Sequence, residues 1–284
     1  MTNTSADSAG LSSARVAALC GDAARQIAIR IVTQTGSTNT DLLQAAATLE
    51  GPTLLWAETQ TAGKGRAGRR WQSASDATLT FSLAWRFCLP LQKLAGLPLA
   101  VGVAVAEVMQ SFGVAAQLKW PNDILRDGRK LGGILIETAR GKNGDASSDA
   151  NSDAIWAVIG IGINLAEPPP ALKAESQVDP KADLPLANIA VAPELRSDRE
   201  RVMAALLTAL AEAMHLFAQQ GFAAFAGRWN ALHAHAEKCV NIIDDGKILQ
   251  QGVALGVDDS GMLLLQTAAG RVSVAAGDVS LRAV

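Results

Sequence analysis

The dipeptide Asp127-Gly128 stands between two apolar runs, Ile124–Arg126 and Lys130–Thr138. A two-residue turn of this kind needs positive φ at both centres. Asp tolerates that and Gly accepts it freely, so the flanking strands must lie antiparallel. A purely parallel, doubly wound sheet is therefore excluded as the whole architecture. The run AIWAVIGIGI at Ala154–Ile163 is expected to lie antiparallel to Leu131–Glu137, and TLTFSLAWRF at Thr78–Phe87 alternates as a strand should. Gln26–Val32 and Thr53–Glu58 read as further strands, and Gln117–Trp120 as a short one stopped by Pro121. These segments mix with helices in no strict β-α-β order. The chain reads as α+β with a mixed, largely antiparallel sheet.

Ser12 or Ser13 can cap a short helix to about Arg25, and Ser37-Thr38-Asn39 precede Leu42, Leu43, Ala46 and Leu49 at helical spacing. Asp198 is expected to cap a long helix to about Gln219, striped by Val202, Leu206, Leu210 and Phe217, with a second helix over 222–234. The most apolar run, Leu94–Met109, is shorter than the ~20 residues of a membrane span. It also carries Glu107, so it reads as a core helix rather than a membrane segment. Residues 1–10 and 141–153 are polar, and 167–185 are rich in proline; these read as mobile or irregular. From Glu237 onward, short strands alternate with turn residues, the pattern of a small β-barrel. No secretory signal is expected, and Cys20, Cys88 and Cys239 read as reduced, small core residues of an intracellular protein.

The densest concentration of charge is GKGRAGRRW, Gly63–Trp71, in a chain of formal net charge -2. It satisfies G-x-G-x-x-G, but a strand rather than a helix follows it, so the dinucleotide-turn reading fails. The P-loop pattern fails too, because Gly65 stands where a hydroxyl residue is needed. Glycines interleaved with cations let backbone and guanidinium groups approach a polyphosphate together. Like charges in such a loop repel until an anion arrives, so ligand-driven ordering is expected. The net negative charge argues against a general nucleic-acid-binding face.

Three other constellations stand out. Lys119, Asn122 and Asp123 cluster around Pro121; Lys130 precedes Gly132-Gly133; and Gly160 and Gly162 interrupt an apolar strand ended by Asn164. Paired glycines in a strand mark close approach of a ligand or another backbone. On spacing alone, Lys130 is either a solvated strand-start lysine or a cation aimed into a site. No nucleophile elbow is present, and His215, His233 and His235 lack a zinc-site spacing and read as surface or packing residues.

Taken in order, five stretches resemble the biotin protein ligase family. They are Gly-Ser-Thr-Asn at 36–39, Glu58–Trp71, Lys119–Asp123, Lys130–Leu135 and Gly160–Asn164. The resemblance covers about residues 30–235 and extends to the small C-terminal barrel. It implies a class II synthetase-like catalytic domain and an SH3-like β-barrel. The implied division is a mobile segment and short helix over 1–25, the catalytic domain over 26–235 and the barrel over 236–284.

The implied reaction is ATP-dependent, with Mg²⁺. The carboxylate of biotin attacks the α-phosphate, giving biotinyl-5′-AMP and pyrophosphate. A lysine of a biotin carboxyl carrier domain then displaces AMP. No protein nucleophile is required, in keeping with the absence of one. By the resemblance, Ser37, Thr38, Asn39 and Gln60 bind the ureido end of biotin, and Gly133 and Leu135 line its channel. Lys64, Gly65, Arg66 and Arg69 belong to a loop that closes over the adenylate. Lys130 stabilises the carboxylate and the α-phosphate together, so Lys130 and Arg66 carry the catalytic expectation. Trp71 and Asn164 are expected near the adenine, and Lys119, Asn122 and Asp123 near phosphate and metal.

Lys64 stands where arginine is common, which keeps charge but loses the bidentate fork. Only about 30 residues precede the first catalytic strand, too few for the DNA-binding module of bifunctional members, so no nucleic-acid partner is expected. A cytoplasmic, non-membrane enzyme is implied, and homodimerisation through the catalytic sheet is compatible with the family. Lipoate-type ligases share the fold but lack this glycine/arginine loop. Octanoyl transferases of the same fold need a site cysteine, and a non-catalytic biotin- or nucleotide-binding regulator would need a broken cationic set.

Overall fold

A computed structural model describes residues 10–140, 154–168, 189–244, 247–276 and 280–283. The expected irregular stretches at 1–9, 141–153 and most of 167–185 lie outside the described residues. Seven strands form one sheet: β1 (Ala28–Thr35), β2 (Thr53–Gln60), β3 (Thr78–Phe87), β4 (Gln117–Lys119), β5 (Asp123–Arg126), β6 (Arg129–Arg140) and β7 (Ile155–Asn164). Their order across the sheet is β1-β2-β3-β7-β6-β5-β4. Only the β1–β2 pair is parallel; every other neighbouring pair is antiparallel. The β5–β6 turn has φ 52° at Asp127 and 72° at Gly128, the left-handed values the dipeptide was expected to supply. The expected pairing of the 154–163 run with 131–137 is also present.

Helices α1 (Ser13–Leu19), α3 (Leu97–Ser111), α4 (Arg199–Gln220) and α5 (Ala223–Ala231) surround the main core, and α2 (Thr38–Ala45) covers the opposite face of the sheet. Strand alternation sorts the side chains. Leu79, Phe81 and Leu83 of β3 and Ile159, Ile161 and Ile163 of β7 enter the main core. Thr80, Ser82, Gly160 and Gly162 are left for the α2 side. The segments Leu91–Ser111 and Arg199–Gln220 have the length and apolar composition of a membrane span, and both are more than half buried within the protein.

Several expectations shift. The first helix stops at Leu19 and gives way to a separate 3-10 turn at Asp22–Ala24. Gly21 causes the break: its N–H donates to Thr208 Oγ1 (2.9 Å), and a Cβ there would lie 2.7 Å from Thr208 Cγ2. Helix α5 ends at Ala231 because the next residues extend the sheet edge instead. Leu118 N donates to Leu232 O (2.7 Å) and Ala234 N donates to Leu118 O (2.8 Å), pairing the outermost strand with the chain that leads to the barrel. The expectation that all three cysteines lie in the core is wrong. Cys88 and Cys239 are exposed, one just past the end of β3 and one at the start of the C-terminal sheet, and Cys20 is half-buried.

The C-terminal sheet contains β8 (Cys239–Asp244), β9 (Lys247–Val257), β10 (Leu263–Thr267), β11 (Gly270–Val274) and β12 (Ser280–Ala283) in the order β11-β10-β9-β8-β12, all antiparallel. The expected succession of short strands and turns beyond Glu237 is present. Trp120 Nε1 donates to Gly261 O (3.2 Å), tying this sheet to the catalytic body.

Candidate active site

The glycines of β7 open the sheet's α2 face. Gly162 pairs with Thr80 on one side and Gly133 on the other, and Gly160 pairs with Ser82 and Leu135. A Cβ at Gly160 would collide with the Asn39 carboxamide, and one at Gly162 with the Trp71 indole. The two glycines therefore form a backbone floor on which an α2 residue and a loop residue rest. Gly132 is demanded by a different neighbour, since its Cβ would meet Gly162 O at 2.6 Å. Gly133 is open above, with Lys130 Cε 3.4 Å from its virtual Cβ.

Over this floor lies a pocket lined by Ser37, Thr38, Asn39, Gln60, Lys64, Gly65, Arg66, Arg69, Trp71, Lys119, Asn122, Asp123, Lys130, Gly133 and Leu135. Every expected site residue is thus brought together except Asn164. That side chain is buried beside the site, where its Nδ2 donates to Lys130 O (3.4 Å), and it is not part of the pocket wall. The wall also contains residues that were not singled out from the sequence: Thr80, Ser82, Trp120, and Leu281 and Arg282 of β12.

One end of the pocket is neutral and polar. Ser37 caps α2, its Oγ accepting from Thr40 N. Thr38 N donates to Gln60 Oε1 (2.7 Å), and the Thr38 and Ser82 hydroxyls lie 2.6 Å apart. Asn39 Nδ2 donates to Glu137 Oε2 (2.9 Å). Ser37, Thr38, Asn39, Gln60 and Ser82 are all buried. Buried groups of this kind fix each other's rotamers and the orientation of the amides.

The other end is charged. Among the described residues six cations line the pocket, Lys64, Arg66, Arg69, Lys119, Lys130 and Arg282, against one carboxylate, Asp123. In a chain of net charge -2 this is a focused positive field suited to a polyanion. Lys130 is 8 % exposed, which decides between its two readings: it is a buried cation, not a solvated strand start. Its Nζ lies 2.9 Å from Asp123 Oδ1, and Lys119 Nζ lies 3.2 Å from Asp123 Oδ2. Burial pushes the Asp123 carboxyl up, but the two ammonium groups outweigh it and hold the group below its ordinary value.

The Gly63–Trp71 loop folds as a narrow hairpin. Gly65 N donates to Arg69 O (2.8 Å), Trp71 N donates to Gly63 O (3.0 Å), and the backbones of Lys64 and Arg70 pair antiparallel. The hairpin's tip carries Ala67 at φ 52° and Gly68 at φ 70°. Arg66 Nη1 donates to Asn122 Oδ1 (2.9 Å), while Asn122 Nδ2 donates to Ile134 O (2.8 Å). Asn122 is thus clamped to β6 and aims the loop guanidinium across the pocket mouth. Trp71 Nε1 is buried with no partner among the described residues.

Comparison with known proteins agrees with this geometry. Residues 31–148 match the Biotin/lipoate A/B protein ligase family, and residues 235–282 match the Biotin protein ligase C terminal domain. The bifunctional ligase/repressor BirA of Escherichia coli is 35% identical over 248 residues, covering 87% of this chain and 71% of that protein. The biotin–[acetyl-CoA-carboxylase] ligase of Mycobacterium tuberculosis is 34% identical over 257 residues, covering 88% of this chain and 87% of that one. The biotin protein ligase of Aquifex aeolicus, solved in complex with biotin and ATP, superposes with a TM-score of 0.69 at 26% identity, over 90% of this chain and 99% of that one. The mixed catalytic sheet and the small antiparallel C-terminal unit both have their counterparts there. In sequence, in C-terminal domain and in fold, the chain belongs to the biotin protein ligase family.

Proposed function

We propose that this chain is a biotin–[biotin carboxyl carrier protein] ligase, which activates biotin with ATP as biotinyl-5′-AMP and transfers the acyl group to a carrier lysine. The observation that carries this reading is the two-ended pocket: a neutral hydrogen-bonding end and a cationic end in one cavity. A urea ring, an aliphatic chain and an adenylate, taken in that order, have the same polarity. Gln60 and Thr38 meet the ureido group, with Ser37 and Asn39 shaping that end. Gly133 and Leu135 leave room for the chain. Lys130 neutralises the carboxylate and the α-phosphate as they approach, which lowers the barrier to their reaction by electrostatic stabilisation and positioning.

In this proposal Arg66, Lys64, Gly65 and Arg69 cover the adenylate and exclude water until a carrier lysine arrives. Trp71 provides an apolar face for the adenine. Asn164 acts indirectly, by holding the backbone at Lys130. Asp123 holds Lys130 and Lys119 in place, and Asn122 holds Arg66. Mg²⁺ fits as an ion brought by the nucleotide. Asp123 is the one carboxylate lining the pocket among the described residues, and Mg²⁺ sites commonly combine one or two carboxylates with substrate phosphates and water. The division into a segment over 1–25, a catalytic domain over 26–235 and a barrel over 236–284 belongs to the same proposal, as does a cytoplasmic location beside the carrier. Incubation with ATP, Mg²⁺, labelled biotin and a carrier domain tests it. Label on the carrier is expected, and no transfer, or transfer of lipoate instead, overturns the reading.

A further inference from the structure

Five side chains from four elements run in a line along the neutral end of the pocket: Gln60 on β2, Thr38 on α2, Ser82 on β3, Asn39 on α2 and Glu137 on β6. Thr38 Oγ1 lies 3.0 Å from Gln60 Oε1 and 2.6 Å from Ser82 Oγ. Ser82 Oγ lies 2.6 Å from Asn39 Oδ1. Asn39 Nδ2 lies 2.9 Å from Glu137 Oε2 and 3.4 Å from Leu135 O.

A proton inventory gives this row a direction. A carboxylate and a backbone carbonyl only accept, so the Asn39 amide must turn its NH₂ to them and its carbonyl to Ser82. A carbonyl only accepts, so Ser82 must donate its single proton to Asn39. The short Thr38–Ser82 contact still needs a proton, and only Thr38 has one left. Gln60 Oε1 does not need it, because Thr38 N already donates there at 2.7 Å. The row therefore runs one way: Thr38 to Ser82 to Asn39 to Glu137. Thr38 is left with no proton to offer the pocket; one lone pair faces Gln60 Oε1 at 3.0 Å and the other is free to accept. Gln60, beside it, keeps an amide NH₂ with no hydrogen bond among the described residues.

We infer that Glu137 sets the direction of this row, through Asn39 and Ser82, and so fixes Thr38 as an acceptor that selects a substrate N–H. Glu137 and Ser82 are positioning residues for substrate specificity. This rests on the ligase reading of the pocket and deepens it. The acceptor on Thr38 beside the donor on Gln60 reads an N–H next to a C=O, one edge of a urea. A glutamine at 137 loosens the direction, because only the longer 3.4 Å contact with Leu135 O then holds the Asn39 NH₂ in place. The Asn39 amide can then turn over, donate to Ser82, and send the row back through Thr38 to Gln60 Oε1. That reversed row uses one of the Thr38 lone pairs and aims its proton elsewhere.

The test compares binding of biotin with binding of its two cyclic-carbamate analogues, each with one ureido N–H replaced by oxygen. Calorimetry is run on wild type, Glu137→Gln and Ser82→Ala. Wild type should bind one carbamate isomer at least roughly tenfold more weakly than biotin, the loss expected when an acceptor meets an acceptor. In Glu137→Gln and in Ser82→Ala, biotin should weaken and that ratio should shrink several-fold. A merely structural lesion would weaken both ligands alike and leave the ratio unchanged, which overturns the inference. So does a wild type that does not distinguish the isomers from biotin. Failure of wild type to bind biotin at all would instead overturn the ligase reading.

Discussion

His233 lies where α5 gives way to the strand-like segment beside Leu118, and it is only 6 % exposed. Neither ring nitrogen has a hydrogen-bond partner among the described residues. The ring packs on Trp229 with centroids 4.7 Å apart and meets His235 edge-on at 6.3 Å. Burial, then the neighbouring charges of His235 and Lys238, lower its pKa to about 4 from an ordinary 6.5. A buried imidazole in this setting stays neutral, while the unfolded chain takes up a proton below pH 6.5. The contribution to stability is therefore complete above about pH 6.5 and is lost as pH falls from there towards 4. Between about pH 7.5 and about pH 5, a shift of that size removes about 2 kcal/mol. Its neighbour His235 is also lowered to about 4, through burial and then the charges of Lys119 and Lys238, and adds to the slope in the same sense. Its partial exposure to solvent reduces that share. The perturbation is His233→Phe, which keeps an aromatic ring against Trp229 and removes the titration. Urea unfolding at the two pH values gives the stability difference for each protein. Wild type should lose about 2 kcal/mol more than the variant on acidification. Equal losses would refute the assignment of the slope to this ring, and a wild type equally stable at both pH values would refute the buried neutral imidazole.

Lys130→Ala removes the cation expected between carboxylate and α-phosphate and leaves Asp123 with Lys119 alone. Pyrophosphate release should fall by roughly a hundredfold or more, and an unchanged rate would remove Lys130 from the chemistry. Arg66→Gly breaks the latch to Asn122. Adenylate should still form but escape early, seen as label on bystander lysines; clean transfer to the carrier alone would contradict the covering role. Gly162→Ala places a methyl group against the Trp71 indole, so nucleotide affinity should drop well before biotin affinity does, as calorimetry with each ligand will register. Trypsin should cut near Arg66 more slowly with biotin and ATP than without them, and equal cleavage would count against ligand-driven ordering of the loop.

Much of the architecture is local and could be read as such. Asp127-Gly128 dictates its hairpin through φ alone, and Ser37 and Asp198 cap the helices they precede. The site was partly legible for the same reason: glycines inside β6 and β7 have no local rationale, so they point to something lying on them. Ser82 was within reach, because period-two alternation in TLTFSLAWRF turns Thr80 and Ser82 away from the face that buries Leu79, Phe81 and Leu83. What spacing could not supply is pairing. Nothing in the spacing brings the Lys130 ammonium to 2.9 Å from Asp123 or turns the Asn164 amide to the Lys130 carbonyl. Leu281 and Arg282 carry no local signal at all, since they reach the pocket only after the whole C-terminal sheet has folded against the catalytic body.

That last contact bears on how the protein is made. The pocket wall is built almost entirely from residues 37–162 and is completed by Leu281 and Arg282, which are synthesised more than a hundred residues later. A nascent chain that already displays the loop, the lysines and the glycine floor still lacks part of its wall until β12 emerges. Because Leu281 and Arg282 come from the C-terminal sheet, the finished pocket couples the catalytic body to that sheet.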